Sequence, residues 1–131
     1  MIHEISIQEY INKYEDLPLI DVRSPKEYQK GHILDAVNVP LFSNEERAHV
    51  GTVYVQESKE KAIEVGYEYV TPKLQRFVDD SRKVASKNRV AVHCWRGGMR
   101  SRSFAELLEK NHLEVYLIQK GYKAFRNYAI E

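Results

Sequence analysis

Short apolar runs in this chain alternate with stretches of helical spacing, and this alternation limits the folds that are open to it. The runs of strand length are 18–22, 36–39, 89–93 and 115–118. The helical stretches are 24–30, 43–50, 58–65, 72–86, 100–110 and 122–128. Strands that alternate with helices are typical of parallel sheets, because each helix carries the chain back to the start of the next strand. The pattern therefore predicts an α/β domain with a mainly parallel sheet.

Two of the predicted helices begin with a capping signal, a serine followed three residues later by a glutamate. The pairs are Ser24 with Glu27 and Ser43 with Glu46. In such a pair the glutamate side chain can accept a hydrogen bond from the backbone of the serine. The second of these helices is expected to end near Val50, and residues 54–56 fit either a helix or a strand.

Length and composition favour one globular domain covering residues 1–131. The hydrophobic fraction is 43%, which suffices for one core, and 20 basic residues nearly balance 19 acidic ones, so bulk charge does not predict a nucleic-acid partner. The N-terminal segment lacks the features of a signal peptide, and no run approaches the roughly 20 apolar residues of a membrane span. A lone cysteine forms no intrachain disulfide, so we expect a cytoplasmic protein without membrane contact.

The only cysteine, Cys94, follows the predicted strand 89–93 and precedes the predicted helix 100–110. Gly97 and Gly98 permit backbone angles that turn successive N–H groups into one concavity. The helix that follows adds the positive end of its dipole, which favours anions. Because a thiolate is stabilised in such a cradle, Cys94 is expected to be a reactive nucleophile rather than an inert buried residue.

Charged residues near Cys94 suggest how an anionic group is held. Arg96 and Arg100 can donate charge-assisted hydrogen bonds to it, and an ion pair between Asp21 and Arg23 is expected to brace the loop. The side chain of His93 is expected to point away from the loop. The candidate site comprises Cys94 as nucleophile, Trp95, Arg96, Gly97, Gly98, Met99 and Arg100 as the anion-binding loop, and Asp21, Arg23 and Ser101 as supporting residues. No tightly bound cofactor or metal is expected, since one cysteine and scattered histidines do not form a zinc site.

Four segments together resemble the rhodanese superfamily and span nearly the whole chain. They are 19–28 (LIDVRSPKEY), 31–33 (GHI), 36–40 (AVNVP) and 120–126 (KGYKAFR). The resemblance implies a single rhodanese-like domain, in which a central parallel sheet is flanked by helices on both faces. This implied fold agrees with the alternation of strands and helices.

Three further segments resemble the N-terminal domain of the tRNA 2-selenouridine synthase family. They are the loop 94–101 (CWRGGMRS) and two parts of an insertion, 44–54 (NEERAHVGTVY) and 62–66 (AIEVG). This resemblance implies replacement of sulfur by selenium at the 2-position of a tRNA wobble uridine, with selenophosphate as the donor. It also implies that Cys94 is essential and that the reaction passes through a geranylated thiouridine.

The resemblance covers only part of the family's usual protein, which continues into a P-loop domain that helps to bind tRNA and the prenyl diphosphate. This sequence ends at Glu131. It is therefore either a separate subunit that pairs with a P-loop protein or a domain excised from a longer chain. We expect the first, with tRNA as a partner, and we expect that this chain alone does not complete the RNA reaction.

Two other functional classes remain open from the residues. The signature His93-Cys94-x5-Arg100-Ser101 also fits cysteine-dependent phosphatases and arsenate reductases, because a loop of amides with an arginine suits phosphate as well as selenophosphate. The insertion and the residues between Cys94 and Arg100 weigh against this class. A phosphatase also needs a general acid, for which Glu57 and Glu60 are the only candidates. The third class is a sulfur or selenium carrier, or a domain that only recruits a partner.

Overall fold

Five parallel strands and six α-helices make up the part of the chain that the computed structural model describes, which is residues 2–33, 35–94, 98–120, 122–123 and 125–126. The strands are β1 (Ile2–Ile5), β2 (Leu19–Asp21), β3 (Val37–Asn38), β4 (Arg89–His93) and β5 (Glu114–Ile118). The helices are α1 (Ile7–Lys13), α2 (Pro25–Lys30), α3 (Asn44–Gln56), α4 (Lys59–Val70), α5 (Leu74–Val84) and α6 (Met99–Lys110), with a 3₁₀ turn at Thr71–Lys73. Within these residues no helix is long and apolar enough to cross a membrane.

The strands form one sheet in the order β1-β5-β4-β2-β3, and every neighbouring pair is parallel. Side chains alternate across β4, so that Val90 and Val92 pack with Phe104 of α6 on one face while Ala91 packs with Tyr10 of α1 on the other. Apolar residues are thus buried on both sides of the central strand. The predicted α/β fold with helices on both faces is confirmed.

The predicted strands all occur, and β4 has the predicted bounds, but the structure adds a strand that the sequence analysis did not include. β1 lies at the sheet edge and pairs with β5, with Ile2 opposite Val115. The helix expected to end near Val50 continues to Gln56, so the extended alternative for residues 54–56 is wrong. α3 continues because Val53 packs against Ala62 and Val65 of α4 in a small separate core.

The capping signals act as predicted at both helix starts. The backbone N–H of Ser24 donates to Glu27 Oε1 at 3.1 Å, and that of Ser43 donates to Glu46 Oε1 at 2.8 Å. The predicted closing helix 122–128 falls partly outside the described residues, of which 122–123 and 125–126 are helical.

Candidate functional site

Cys94 lies where the central strand β4 ends and just before α6 begins. Parallel α/β folds bind ligands at this side of the sheet, outside the carboxyl ends of the strands. Its side chain is buried, with 3% exposed. The thiol donates a hydrogen bond to Ser101 Oγ at 3.1 Å, and Ser101 Oγ donates to the carbonyl oxygen of Gly98 at 3.3 Å. Ser101 therefore connects the thiol to the start of α6. Of the predicted loop, Trp95, Arg96 and Gly97 lie outside the described residues.

The first turn of α6 faces the site without a side-chain cap, because Gly98 is its N-cap residue. Uncapped N–H groups and the helix dipole favour a negative charge at this end. Gly97 lies outside the described residues, so the concavity expected from Gly97 and Gly98 together stays a prediction. Gly98 itself is extended. Its φ of −87° suits any residue, and an added Cβ there would meet no heavy atom within 4 Å.

The predicted ion pair between Asp21 and Arg23 is present and fully buried behind Cys94. Arg23 Nη2 donates to Asp21 Oδ2 at 2.8 Å and to the carbonyl oxygen of Gly31 at 2.7 Å. The guanidinium also lies 4.2 Å from the ring centroid of Tyr122, whose backbone N–H donates to the carbonyl oxygen of Cys94 at 2.8 Å. The pair thus braces the Cys94 backbone through Tyr122, as expected of a supporting element.

His93 is completely buried and does not reach the thiol. Its Nδ1 is 3.0 Å from the carbonyl oxygen of Cys94, and its Nε2 is 3.6 Å from Asp21 Oδ2 without a hydrogen-bond partner among the described residues. Burial lowers the pKa of His93 and outweighs the opposite effect of the Asp21 charge. A neutral His93 that donates from Nδ1 fits these contacts, which gives the ring a structural role.

Arg100, predicted to hold the anionic group, is paired with Glu27 of α2. Its Nη1 donates to Glu27 Oε1 at 2.7 Å and its Nη2 to Glu27 Oε2 at 3.3 Å. Glu27 Oε1 also accepts from Ser24 Oγ at 2.9 Å. Glu27 therefore does more than cap α2, because it also fixes the direction of the Arg100 side chain beside the site.

Arg47 of α3 also belongs to the site, although its sequence position did not predict this. Its guanidinium lies beside Glu27, with Nε 3.9 Å from Glu27 Oε1, and it borders the same cavity as Cys94 and Arg100. Burial and the charge of Arg100 lower the pKa of Arg47, while the charges of Glu27 and Cys94 act in the opposite direction. Locally Arg47 resembles any surface residue of a helix, and the only sequence signal is Gly51 one turn later, which leaves room for the side chain.

A cavity of about 630 Å³ adjoins Cys94 between α3, α4 and the start of α6. Most of its walls are apolar, and they include Phe42, Val50, Ala62, Ile63, Val70 and Met99. Three cationic residues also line it: Arg47, Lys59 and Arg100. A ligand that carries both an anionic group and an apolar group fits such a lining.

Glu27 is expected to make stability fall in acid. Burial alone would raise its pKa, but the hydrogen bond and charge of Arg100, with the bonds from Ser24, lower it from 4.5 to about 2. Since the unfolded chain binds this proton more readily, the stabilisation is present above the ordinary pKa and is lost as the pH falls towards 2. Allowing for partial solvent screening, wild type should lose about 2 kcal/mol more than Glu27→Gln between about pH 5 and pH 2.

Urea unfolding at a series of pH values measures this difference. Every other carboxylate titrates in both proteins, so the comparison isolates Glu27. Parallel curves for wild type and Glu27→Gln would show that the contacts of Glu27 with Arg100 do not stabilise the folded chain.

Comparison with known proteins identifies relatives over nearly the whole chain. The model of a family described as Rhodanese-like domain matches residues 6–128. The chain is 38% identical over 126 residues, 94% of its length, to the tRNA 2-selenouridine synthase of Marinobacter nauticus. It is 40% identical over 123 residues, 89% of its length, to the tRNA 2-selenouridine synthase of Bdellovibrio bacteriovorus. The chain spans about a third of these two proteins, 34% and 31% respectively.

A solved structure with similar sequence has the same fold. It is the crystal structure of the N-terminal domain of a proposed ATP/GTP binding protein from Clostridium difficile 630. The two chains are 37% identical with a TM-score of 0.86, and the match covers 97% of this chain and 98% of that one.

Proposed function

The chain belongs to the rhodanese-like domain family, and we propose that it is the selenium-transferring domain of a tRNA 2-selenouridine synthase. The observation that carries the proposal is the position of Cys94, which lies at the end of the central strand, at the first turn of α6 and beside the cavity. Relatives of that name are 38% and 40% identical to the chain over most of its length, which supports a tRNA wobble uridine as the acceptor. A tRNA-modifying role also suits a cytoplasmic location.

The proposed chemistry begins with the Cys94 thiolate and selenophosphate. Attack at selenium forms an S–Se bond and breaks the Se–P bond, whose electron pair stays on phosphorus. Phosphorus(V) is thereby reduced to phosphite, while the sulfur and the selenium are each oxidised by one unit. Attack at phosphorus forms an S–P bond instead and releases hydrogen selenide, with no change in oxidation state. In either case the first turn of α6 and the nearby cations would stabilise the anionic donor and adduct, with Arg96 and Trp95 as further proposed contacts.

The apolar walls of the cavity support the geranylated route that the family resemblance implies. A prenyl chain on the 2-sulfur of uridine needs an apolar site close to the chalcogen donor. The wall residues on α3 and α4 adjoin Cys94, so a prenyl chain held there could bring the reacting carbon of the base near the adduct. Water excluded from these walls would not compete for that carbon.

A P-loop protein or domain is the proposed partner for RNA binding. Two observations support it: the chain spans only about a third of its synthase relatives, and a similar solved domain belongs to a proposed ATP/GTP binding protein. On this proposal the chain activates selenophosphate at Cys94, either as a selenium adduct or by release of hydrogen selenide at the site, and the partner supplies most contacts with tRNA.

The test of the loading step is the intact mass of the chain after brief incubation with selenophosphate and without reductant. We expect an adduct on wild type and none on Cys94→Ser. A selenium adduct and a phosphate adduct have nearly the same mass, so the isotope pattern of selenium and a phosphorus NMR signal distinguish the two routes. No adduct by either measurement would contradict a loading step on the isolated chain.

The alternative hypothesis, that the chain is a cysteine-dependent phosphatase, makes a different prediction for wild type and Cys94→Ser. It requires hydrolysis of an aryl phosphate by wild type that disappears in Cys94→Ser. Turnover of that kind without a selenium-dependent step would replace the proposed function. A selenium adduct on Cys94 without aryl phosphate turnover supports the proposed function.

A further inference from the structure

We propose that Arg47 is the side chain that binds the anionic group of the incoming reagent and positions it against the Cys94 thiol. The chemical class of ligand is a small oxyanion such as phosphate, selenophosphate or a carboxylate. The identity of the natural donor rests on the proposed function, but the binding of an anion by Arg47 does not.

Arg100 is the obvious alternative, and its contacts make it the less suitable of the two. Both terminal nitrogens of its guanidinium, Nη1 and Nη2, donate to Glu27, at 2.7 and 3.3 Å. Glu27 is held in turn by two bonds from Ser24. An anion that bound to the guanidinium group of Arg100 would have to displace the Glu27 carboxylate, which several donors already stabilise.

Arg47 has no such commitment. Its Nε is buried without a hydrogen-bond partner among the described residues, and it lies 3.9 Å from Glu27 Oε1, beyond hydrogen-bond distance. Glu27 Oε1 already accepts from Ser24 and Arg100, so it has little capacity left for a further donor. A buried donor without an acceptor is costly. Because Arg47 also lines the cavity, an anion bound there would not have to displace an acceptor from it.

The local charge balance also favours an anion. Two guanidinium groups, Arg47 and Arg100, flank one carboxylate, Glu27, so these three groups carry a net charge of +1 that faces the Cys94 thiolate and any anion near it. Arginine keeps its charge, and its planar fork suits a tetrahedral oxyanion. Since Arg47 and Cys94 line the same cavity, an anion bound by Arg47 shares that cavity with the thiol.

Paired alkylating reagents test this inference without selenium or RNA. Iodoacetate and iodoacetamide both form an S–C bond with Cys94 and release iodide, but only iodoacetate is an anion. We expect Arg47→Met to lower the ratio of the two rates, iodoacetate over iodoacetamide, by about tenfold. A change in the thiolate fraction affects both reagents equally, so it does not alter the ratio.

Lys83→Met is the matched control, because it removes one positive charge from an exposed position near the far end of β4 and should leave the ratio unchanged. Inorganic phosphate should protect wild type from iodoacetate and protect Arg47→Met much less. If Arg47→Met does not fold, Arg47→Lys keeps the charge without the fork and should give an intermediate ratio.

An unchanged ratio in the folded Arg47 variants, or equal protection by phosphate, would overturn the inference. The outcome is independent of the proposed function. A lowered ratio combined with no selenophosphate adduct would retain the anion site at Arg47 and reject selenium transfer. An adduct combined with an unchanged ratio would retain selenium transfer and reject the anion site.

Discussion

Asp21→Asn is expected to lower the free energy of unfolding by about 3 to 5 kcal/mol, because it leaves the charge of Arg23 buried without a counter-ion. Asp21 is completely buried and Arg23 is 2% exposed, so water cannot replace the lost carboxylate. A loss of this size is a large part of the stability of a typical domain. Urea unfolding at neutral pH measures this loss, and the contact of Arg23 with Tyr122 should weaken as well.

The exposed pair between Arg102 and Glu4 provides the matched control. Its N–O distance of 2.7 Å is close to the 2.8 Å of the buried pair, but its side chains are 47% and 48% exposed. Glu4→Gln should therefore cost less than about 1 kcal/mol. Similar losses for Asp21→Asn and Glu4→Gln would mean that burial does not determine the value of the Asp21–Arg23 pair.

The parts of the fold that local sequence determines were predictable. Strands β2, β4 and β5 are short apolar runs, and α2 and α3 begin at a serine with a glutamate three residues later. β1 is different. Its residues IHEI are too few and too polar to mark a strand, and it is one only because it pairs with β5, more than 100 residues later. Such long-range pairing leaves no local pattern.

The site likewise combines local features that the sequence predicts with long-range contacts that it does not. Cys94, the start of α6 and the Asp21–Arg23 pair are each local in sequence and were therefore predictable. The bond from Arg100 to Glu27 joins residues 73 positions apart, and Arg47 reaches the cavity only because α3 packs against α4. Which arginine is free to bind an anion is therefore a property of the tertiary structure, which the local motif does not reveal.

Cys94→Ser is expected to abolish selenouridine formation, by about 10³-fold or more, when the chain works within a complete synthase. The assay is a chimera in which this chain replaces the matching segment of the Marinobacter nauticus synthase, to which it is 38% identical. The chimera is expressed in cells that lack their own synthase, and 2-selenouridine is measured in digested tRNA by mass spectrometry. Serine preserves the shape of the side chain but is a far weaker nucleophile at neutral pH.

Ser101→Ala tests the contribution of the nucleophile's surroundings apart from that of its sulfur atom. This variant removes the hydroxyl that accepts the hydrogen bond of the Cys94 thiol but keeps the sulfur, so a loss of about tenfold is expected. Urea unfolding of Cys94→Ser shows whether the variant is folded, so that a total loss of activity can be assigned to the missing sulfur. If Cys94→Ser retained selenouridine formation while the wild-type chimera was active, the sulfur would not be the reacting atom, and the domain would act only by recruiting or positioning its partner.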